Sequence, residues 1–206
     1  MKRMAIAAVL CVGLMPLIQT CGHKPIDIVL AYQEALNAGD VDKVMSLHTE
    51  DAHFRVPGLF DLQGQEALRG LVEYDRELHT TLEFGEIEVR GDTVFCQAKE
   101  TNDWIETADI GEFYYHGLIV TRSGRIEAIE AAFIPETNQA FQRVMKPLMD
   151  WARAERSDEL AKMMPQGRFL YNAENAGKNL SLLREYKQNL YRESEMNRPG
   201  WQKLDE

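Results

Sequence analysis

The chain has 206 residues, a formal charge of −10 and an isoelectric point near 5.1. So acidic a balance excludes nucleic acid as a natural partner, because phosphate backbones recruit basic faces. With 45% hydrophobic and 27% charged residues the composition is that of a folded globular protein. The acidity is uneven. His23 to Pro135 holds 22 acidic against 9 basic residues, a net of −13, and the stretch from Glu136 onward holds 11 against 12, a net of +1. That shift sets a boundary at Pro135 and divides the chain into 1–22, 23–135 and 136–206.

Lys2 and Arg3 precede an uncharged apolar run, Met4 to Ile18, which gives way to Gln19-Thr20-Cys21-Gly22. This is the pattern of a secretory signal, and the run falls short of the roughly 20 residues that span a membrane. Leu17-Ile18-Gln19-Thr20-Cys21 also resembles a bacterial lipobox, in which Cys21 carries the lipid. Cleavage near Gly22 and an uncleaved tethering helix are the alternatives. The expected location is the bacterial cell envelope, periplasmic or lipid-anchored, with membrane contact only through this leader or its lipid. Cys11 lies in the leader, so a lipidated Cys21 leaves Cys96 without a disulfide partner. Cys96 then reads as a small core residue in an apolar strand.

Pro25 to Ala38 reads as an amphipathic helix. Ile28, Val29, Tyr32, Ala35 and Leu36 recur at helical spacing, and Gly39 stops it. Asp40 caps a second, short helix carrying Val41, Val44, Met45 and Leu47. A strand, Ala52 to Val56, ends at Pro57-Gly58. A third helix runs from Gln65 to about Leu78 with Leu68, Leu71, Val72 and Leu78 on one face. From Thr81 the apolar period changes to two, which predicts strands at Leu82–Arg90, Thr93–Asp103, Phe113–Arg122 and Arg125–Ile134. Gly91-Asp92 and Ser123-Gly124 supply the hairpin turns. Three helices ahead of a run of antiparallel strands is an α+β order, with helices covering one face of the sheet.

Past Pro135 helical stripes return, first Phe141, Val144, Met145, Leu148 and Trp151, later Leu180, Leu183, Leu190 and Tyr191. They are too thin in apolar residues to build a separate core. This helical extension is expected to pack on the domain or on a second subunit, and the residues from about Asn197 to be loose.

Four pieces carry a family resemblance: Ala31-Tyr32-Gln33-Glu34-Ala35-Leu36-Asn37-Ala38-Gly39-Asp40, Ser46-Leu47-His48-Thr49-Glu50-Asp51-Ala52, Gly64-Gln65-Glu66-Ala67-Leu68 and Gly124-Arg125-Ile126. In order and spacing they resemble the nuclear transport factor 2-like superfamily, of the SnoaL-like and ketosteroid isomerase-like kind. The resemblance implies an α+β cone, with helices packed on a curved antiparallel sheet around one pocket, followed here by C-terminal helices. It does not select a function, since that superfamily includes isomerases, cyclases, epoxide hydrolases and binding modules.

Its residue patterns are more selective. The isomerase pattern implies a tyrosine, a protonated acid and a carboxylate base. Tyr32 matches the tyrosine, and His116 stands within one residue of the second acid. Val56 occupies the place of the base and cannot accept a proton. The epoxide-hydrolase pattern implies an Asp-Arg-Asp cluster, for which Arg55 with Asp75 or Asp103 is the nearest match. The cyclase pattern implies an acid and histidines, for which His53, His116 and Glu130 are candidates by type.

His116 alternates with Tyr114 and Leu118. If that face is concave, His116 can serve as acid or base inside the cone; otherwise it is a structural histidine of the sheet. Glu130 falls among the even positions from Ile126, with Ala128, Ala132 and Ile134, where apolar neighbours would raise its pKa; the alternative is a solvent-facing side chain. Tyr32, His53, Trp104, Tyr114 and Phe133 are the candidate ligand wall, core filling being the plain alternative for the aromatic ones. No metal or other cofactor is expected. The chain has no His-x-Glu-x-x-His helix, cysteine pair, phosphate loop, nucleophile elbow or dinucleotide fingerprint, and His48, Asp51 and His53 straddle an element boundary. The leading expectation is an exported protein that binds a small apolar or polycyclic molecule without isomerase-type chemistry. The alternatives are an enzyme in which His116 or Glu130 moves a proton, and an assembly module that forms a homodimer through the exposed sheet face.

Overall fold

The computed structural model describes residues 24–196; the leader with Cys21, and the end of the tail from Asn197, lie outside the described residues. The first helix, α1 (Pro25–Asn37), starts on a proline, whose missing N–H is one that a helix start leaves unbonded anyway. Asp40 caps α2 (Val41–Ser46), its carboxylate accepting the Lys43 N–H at 3.0 Å. The strand β1 (His48–Val56) turns at Pro57-Gly58 into β2 (Phe60–Gln63), a short strand that the sequence pattern does not announce. After α3 (Gln65–Glu77) come β3 (Thr81–Arg90) and β4 (Thr93–Thr101). Asn102 then ends the strand that the alternation extends to Asp103. Its Oδ1 accepts the Ile105 N–H at 2.8 Å and so caps a one-turn helix, α4 (Asp103–Thr107). The hairpin of β5 (Phe113–Arg122) and β6 (Arg125–Phe133) leads into α5 (Pro135–Glu155), α6 (Ser157–Met163) and α7 (Ala173–Met196).

The six strands form one sheet in the order β2-β1-β6-β5-β4-β3. Neighbours are antiparallel except β1 and β6, which run parallel. The expected all-antiparallel sheet is therefore mixed.

One irregularity decides which residues face inward. Val120 pairs with Ala128, whereas Thr121 pairs with Ile126, so Glu127 is an extra residue in β6. A bulge of this kind flips the alternation beyond it. Ile126 is buried before the bulge; after it Ile129, Ala131 and Phe133 face inward, and Glu130 and Ala132 face out.

The helices α1, α2 and α3 cover one end of the concave face, burying Val29, Val44 and Leu68 against Ile119 and Ile126. At the other end Leu78, Trp104, Phe113 and Tyr115 pack against Phe141 and Leu148 of α5 and Ala176, Leu180 and Leu183 of α7. The tail helices thus bury Phe141, Leu148, Leu180 and Leu183 in the cone's own core, which runs unbroken across Pro135, whereas Leu190 and Tyr191 of the expected stripe stay exposed. Each such leucine contributes about 1.5–3 kcal/mol on burial. A close approach fixes the docking: a side chain on Gly70 of α3 would strike the backbone carbonyl of Tyr171. At the far side Lys187 of α7 donates to the Thr107 carbonyl at 2.7 Å and pairs with Asp109. Among the described residues no helix is long and apolar enough to cross a membrane.

Candidate functional site

Sheet, helices and tail enclose a cavity of about 1040 Å³. Most of its wall is apolar or aromatic, as in pockets that take small molecules. Its polar groups converge from distant parts of the chain. Asp75 lies on the inner stripe of α3, one turn beyond Leu71 and Val72. Glu100 continues the inward alternation of Val94, Cys96 and Ala98 on β4. Tyr115 on β5 donates its hydroxyl to Glu100 Oε2 at 2.7 Å, and Asn102 Nδ2 donates to Glu100 Oε1 at 2.9 Å. The tail adds Tyr171 and Asn179, and Asn179 Nδ2 donates to the Tyr74 hydroxyl at 2.7 Å. Tyr32 joins the polar lining from α1, and Arg55, Asp61, Gln142 and Arg168 also reach the wall.

The two acids differ in their surroundings. Burial first, and the charge of Glu100 second, hold the Asp75 carboxyl well above the usual carboxylate range. Burial also raises Glu100, but the donors Tyr115 and Asn102 pull it back toward its ionised form. Asp75 is thus the carboxyl held further above its ordinary range, while Glu100 keeps two donors that favour its ionised form. Their negative field reaches the phenols around them. Burial, then Asp75, then Glu100 raise Tyr32, and burial with the Glu100 charge raises Tyr115 well above the ordinary value. Burial raises Tyr74 and Tyr171 as well, so the four tyrosine hydroxyls of this cavity stay neutral at any ordinary pH. The Trp104 indole Nε1 is buried without an acceptor among the described residues.

The residues singled out from sequence divide. Tyr32, Trp104 and Phe133 line the cavity. His116 and Tyr114 do not. The large aromatics Phe113 and Tyr115 seat against Phe141 and Trp104, so the odd positions of β5 face inward and the even ones face solvent. Tyr114 bonds Glu112 on that outer face. Glu130 is exposed because of the Glu127 bulge and faces away from the cavity. His53 pairs with Asp61 of β2 at 2.5 Å; Asp61 reaches the cavity wall and His53 does not. An enzyme built on His116 or Glu130 with Tyr32 is thus excluded by geometry, since these groups lie on opposite faces of the sheet. Asp103 bonds His79 at 2.9 Å, so of the two aspartates considered with Arg55 only Asp75 reaches the cavity. Val56 is buried beside the cavity, and the carboxyls are supplied from α3 and β4 instead. Cys96 is a buried free thiol beside Gly117, the core role expected of it. Among the described residues no group of acids, histidines and cysteines could hold a metal ion.

Sequence did carry a signal for the two acids. Asp75 occupies an apolar-stripe position of α3, and Glu100 falls on the inward face of an alternating strand. Nothing local marked Tyr171 or Asn179.

A pocketed cone of helices on a curved sheet is the class this architecture defines. Residues 29–129 match the SnoaL-like domain family, and this part of the chain is a SnoaL-like domain of the nuclear transport factor 2-like fold. None of the curated proteins matches the chain. Among solved structures it is similar to the epoxide hydrolase/cyclase-like enzyme SalBIII of pyran ring formation in salinomycin, at 20% identity over 54% of this chain and 91% of that one, with a TM-score of 0.48. It is similar to an LEH-like epoxide hydrolase of M. tuberculosis, at 18% identity, 61% and 94% coverage and a TM-score of 0.47. A cystatin-fold protein from Novosphingobium aromaticivorans aligns at 20% identity, 53% and 98% coverage and a TM-score of 0.45.

Proposed function

We propose that the cavity binds a small, largely apolar molecule carrying an oxygen function, and that the Asp75–Glu100 pair moves a proton on it. The observation that carries this reading is the pair itself: two carboxyls on one largely apolar cavity, both raised by burial, Asp75 further by the charge of Glu100, with Glu100 held back by its donors Tyr115 and Asn102. Such a pairing is how one site holds an acid and a base at the same pH. Asp75 is the proton donor to the ligand oxygen, and Glu100 is the carboxylate that accepts a proton from the ligand or from a water beside it. Tyr115 and Asn102 hold Glu100 in place. Tyr32, neutral and near both acids, hydrogen-bonds the same oxygen or its neighbour.

The test is deuterium incorporation at the α-carbons of 2-tetralone in D2O, followed by proton NMR. Wild-type protein is expected to accelerate the exchange, and Asp75→Asn and Glu100→Gln to return it to the buffer rate. Exchange at the buffer rate with wild-type protein removes the proton-transfer reading.

A further inference from the structure

Tyr74 and Asn179 stand apart from the acid pair. Tyr74, on α3, lines the cavity, and its ring is clamped by two aromatics of the segment before α7: Phe169, with ring centroids 5.8 Å apart, and Tyr171, at 5.3 Å. Its hydroxyl oxygen accepts the Asn179 amide of α7 at 2.7 Å. A phenol oxygen that accepts from an amide keeps one O–H to donate. Among the described residues that O–H has no acceptor. Receiving a hydrogen bond polarises the hydroxyl and strengthens its own donation. Tyr74 is therefore clamped, aligned and uncommitted, on the wall of an apolar cavity where an unmade hydrogen bond is costly.

We propose that Tyr74 is the hydrogen-bond donor to the carbonyl or ether oxygen of the bound molecule, and that Asn179 is its positioning residue, so that the tail beyond the SnoaL-like segment sets which ligands are held. This rests on the cavity being a ligand site, and it assigns the donor independently of any proton transfer by Asp75 and Glu100. Tyr32 and Tyr171 are the rival donors, but among the described residues no amide orients either, and Tyr32 lies deeper, at 4% exposure.

The probe is Prodan, a naphthalene dye with one ketone oxygen, whose emission moves to the red when that oxygen accepts a hydrogen bond and to the blue in dry apolar surroundings. Bound to wild-type protein, its emission is expected to lie to the red of its position in dry apolar solvent. Tyr74→Phe removes that component and weakens binding roughly threefold to tenfold. Asn179→Leu gives a bound emission between the two, with the dissociation constant less affected. The position of the bound emission is independent of how much protein is folded, so a loss of stability in either variant does not imitate the result. An unchanged emission in Tyr74→Phe, or a shift produced by Tyr32→Phe instead, overturns the assignment while leaving the cavity reading intact. A wild-type protein that leaves the dye at its aqueous emission overturns both.

Discussion

The Tyr115 hydroxyl donates to Glu100 from the neighbouring strand, two positions along from its paired residue Ala98, at 2.7 Å. The two side chains meet on the concave face because diagonal neighbours on one face of a sheet lie within reach of each other. This contact stabilises the ionised form of a carboxyl that burial would otherwise neutralise. It does so with a neutral donor.

The acid pair makes the empty protein sensitive to alkali. Both carboxyls have folded-state pKa values above their unfolded ones. Their contribution to stability is therefore fully present below the ordinary carboxylate range and is lost as pH rises through the raised values. Thermal midpoints are expected to fall as pH rises from the ordinary carboxylate range toward neutrality and beyond. Glu100→Gln should flatten the dependence, with each kcal/mol recovered raising the midpoint by about 2–4 °C. A wild-type profile that rises over this range would contradict the assignment.

Gly70→Ala puts a methyl group against the Tyr171 carbonyl. Overpacking of this kind costs about 1–3 kcal/mol, and here the segment before α7 must move to relieve it. Chemical denaturation should register the loss. Limited proteolysis should cut the segment between α6 and α7 faster than in wild type.

His116→Ala and Glu130→Gln test the outward placement of those side chains. Each should change stability by less than about 0.5 kcal/mol, as surface substitutions do. Prodan affinity should be unchanged by both. A weakened dye complex in either variant would return that residue to the cavity.

Burial pushes the Cys96 thiol up to about 11. In protein whose Cys11 and Cys21 are replaced by serine, Ellman's reagent at pH 8 should find almost no reactive thiol in the native state and one after unfolding in guanidinium. Rapid native labelling would place Cys96 at an exposed, thiolate-stabilising position instead.

Much of the fold is readable from apolar spacing, because the helix stripes and the alternation after Thr81 are strong and the Ser123-Gly124 hairpin is marked by its turn chemistry. The strand β2 was not, since four residues after a Pro-Gly turn show too little alternation to register. Asn102-Asp103 was a legible helix start that the longer alternation masked. In the site the inward direction of β5 was ambiguous by one residue, and only packing of Phe113 and Tyr115 against α4 and α5 resolves it. For Glu130 the obstacle was physical: the Glu127 bulge breaks the parity from which its environment was counted, and a bulge leaves no reliable mark on one sequence. Asp75 is named with Arg55 from the sequence, and Glu100 could have been found by asking why a charge occupies an inward strand position. Tyr171 and Asn179 could not, because their place depends on how a distant helix docks.

That docking has a thermodynamic consequence. The wall of the cavity is drawn from α1 at one end of the described chain and from α7 at the other. An occupant touching Tyr32, Tyr74 and Tyr171 would act as a removable cross-link between the ends of the fold. Occupancy of the cavity would tie the docking of α7 to the stability of the rest of the fold. Each tenfold rise of occupant above its dissociation constant adds about 1.4 kcal/mol to the stability of the whole.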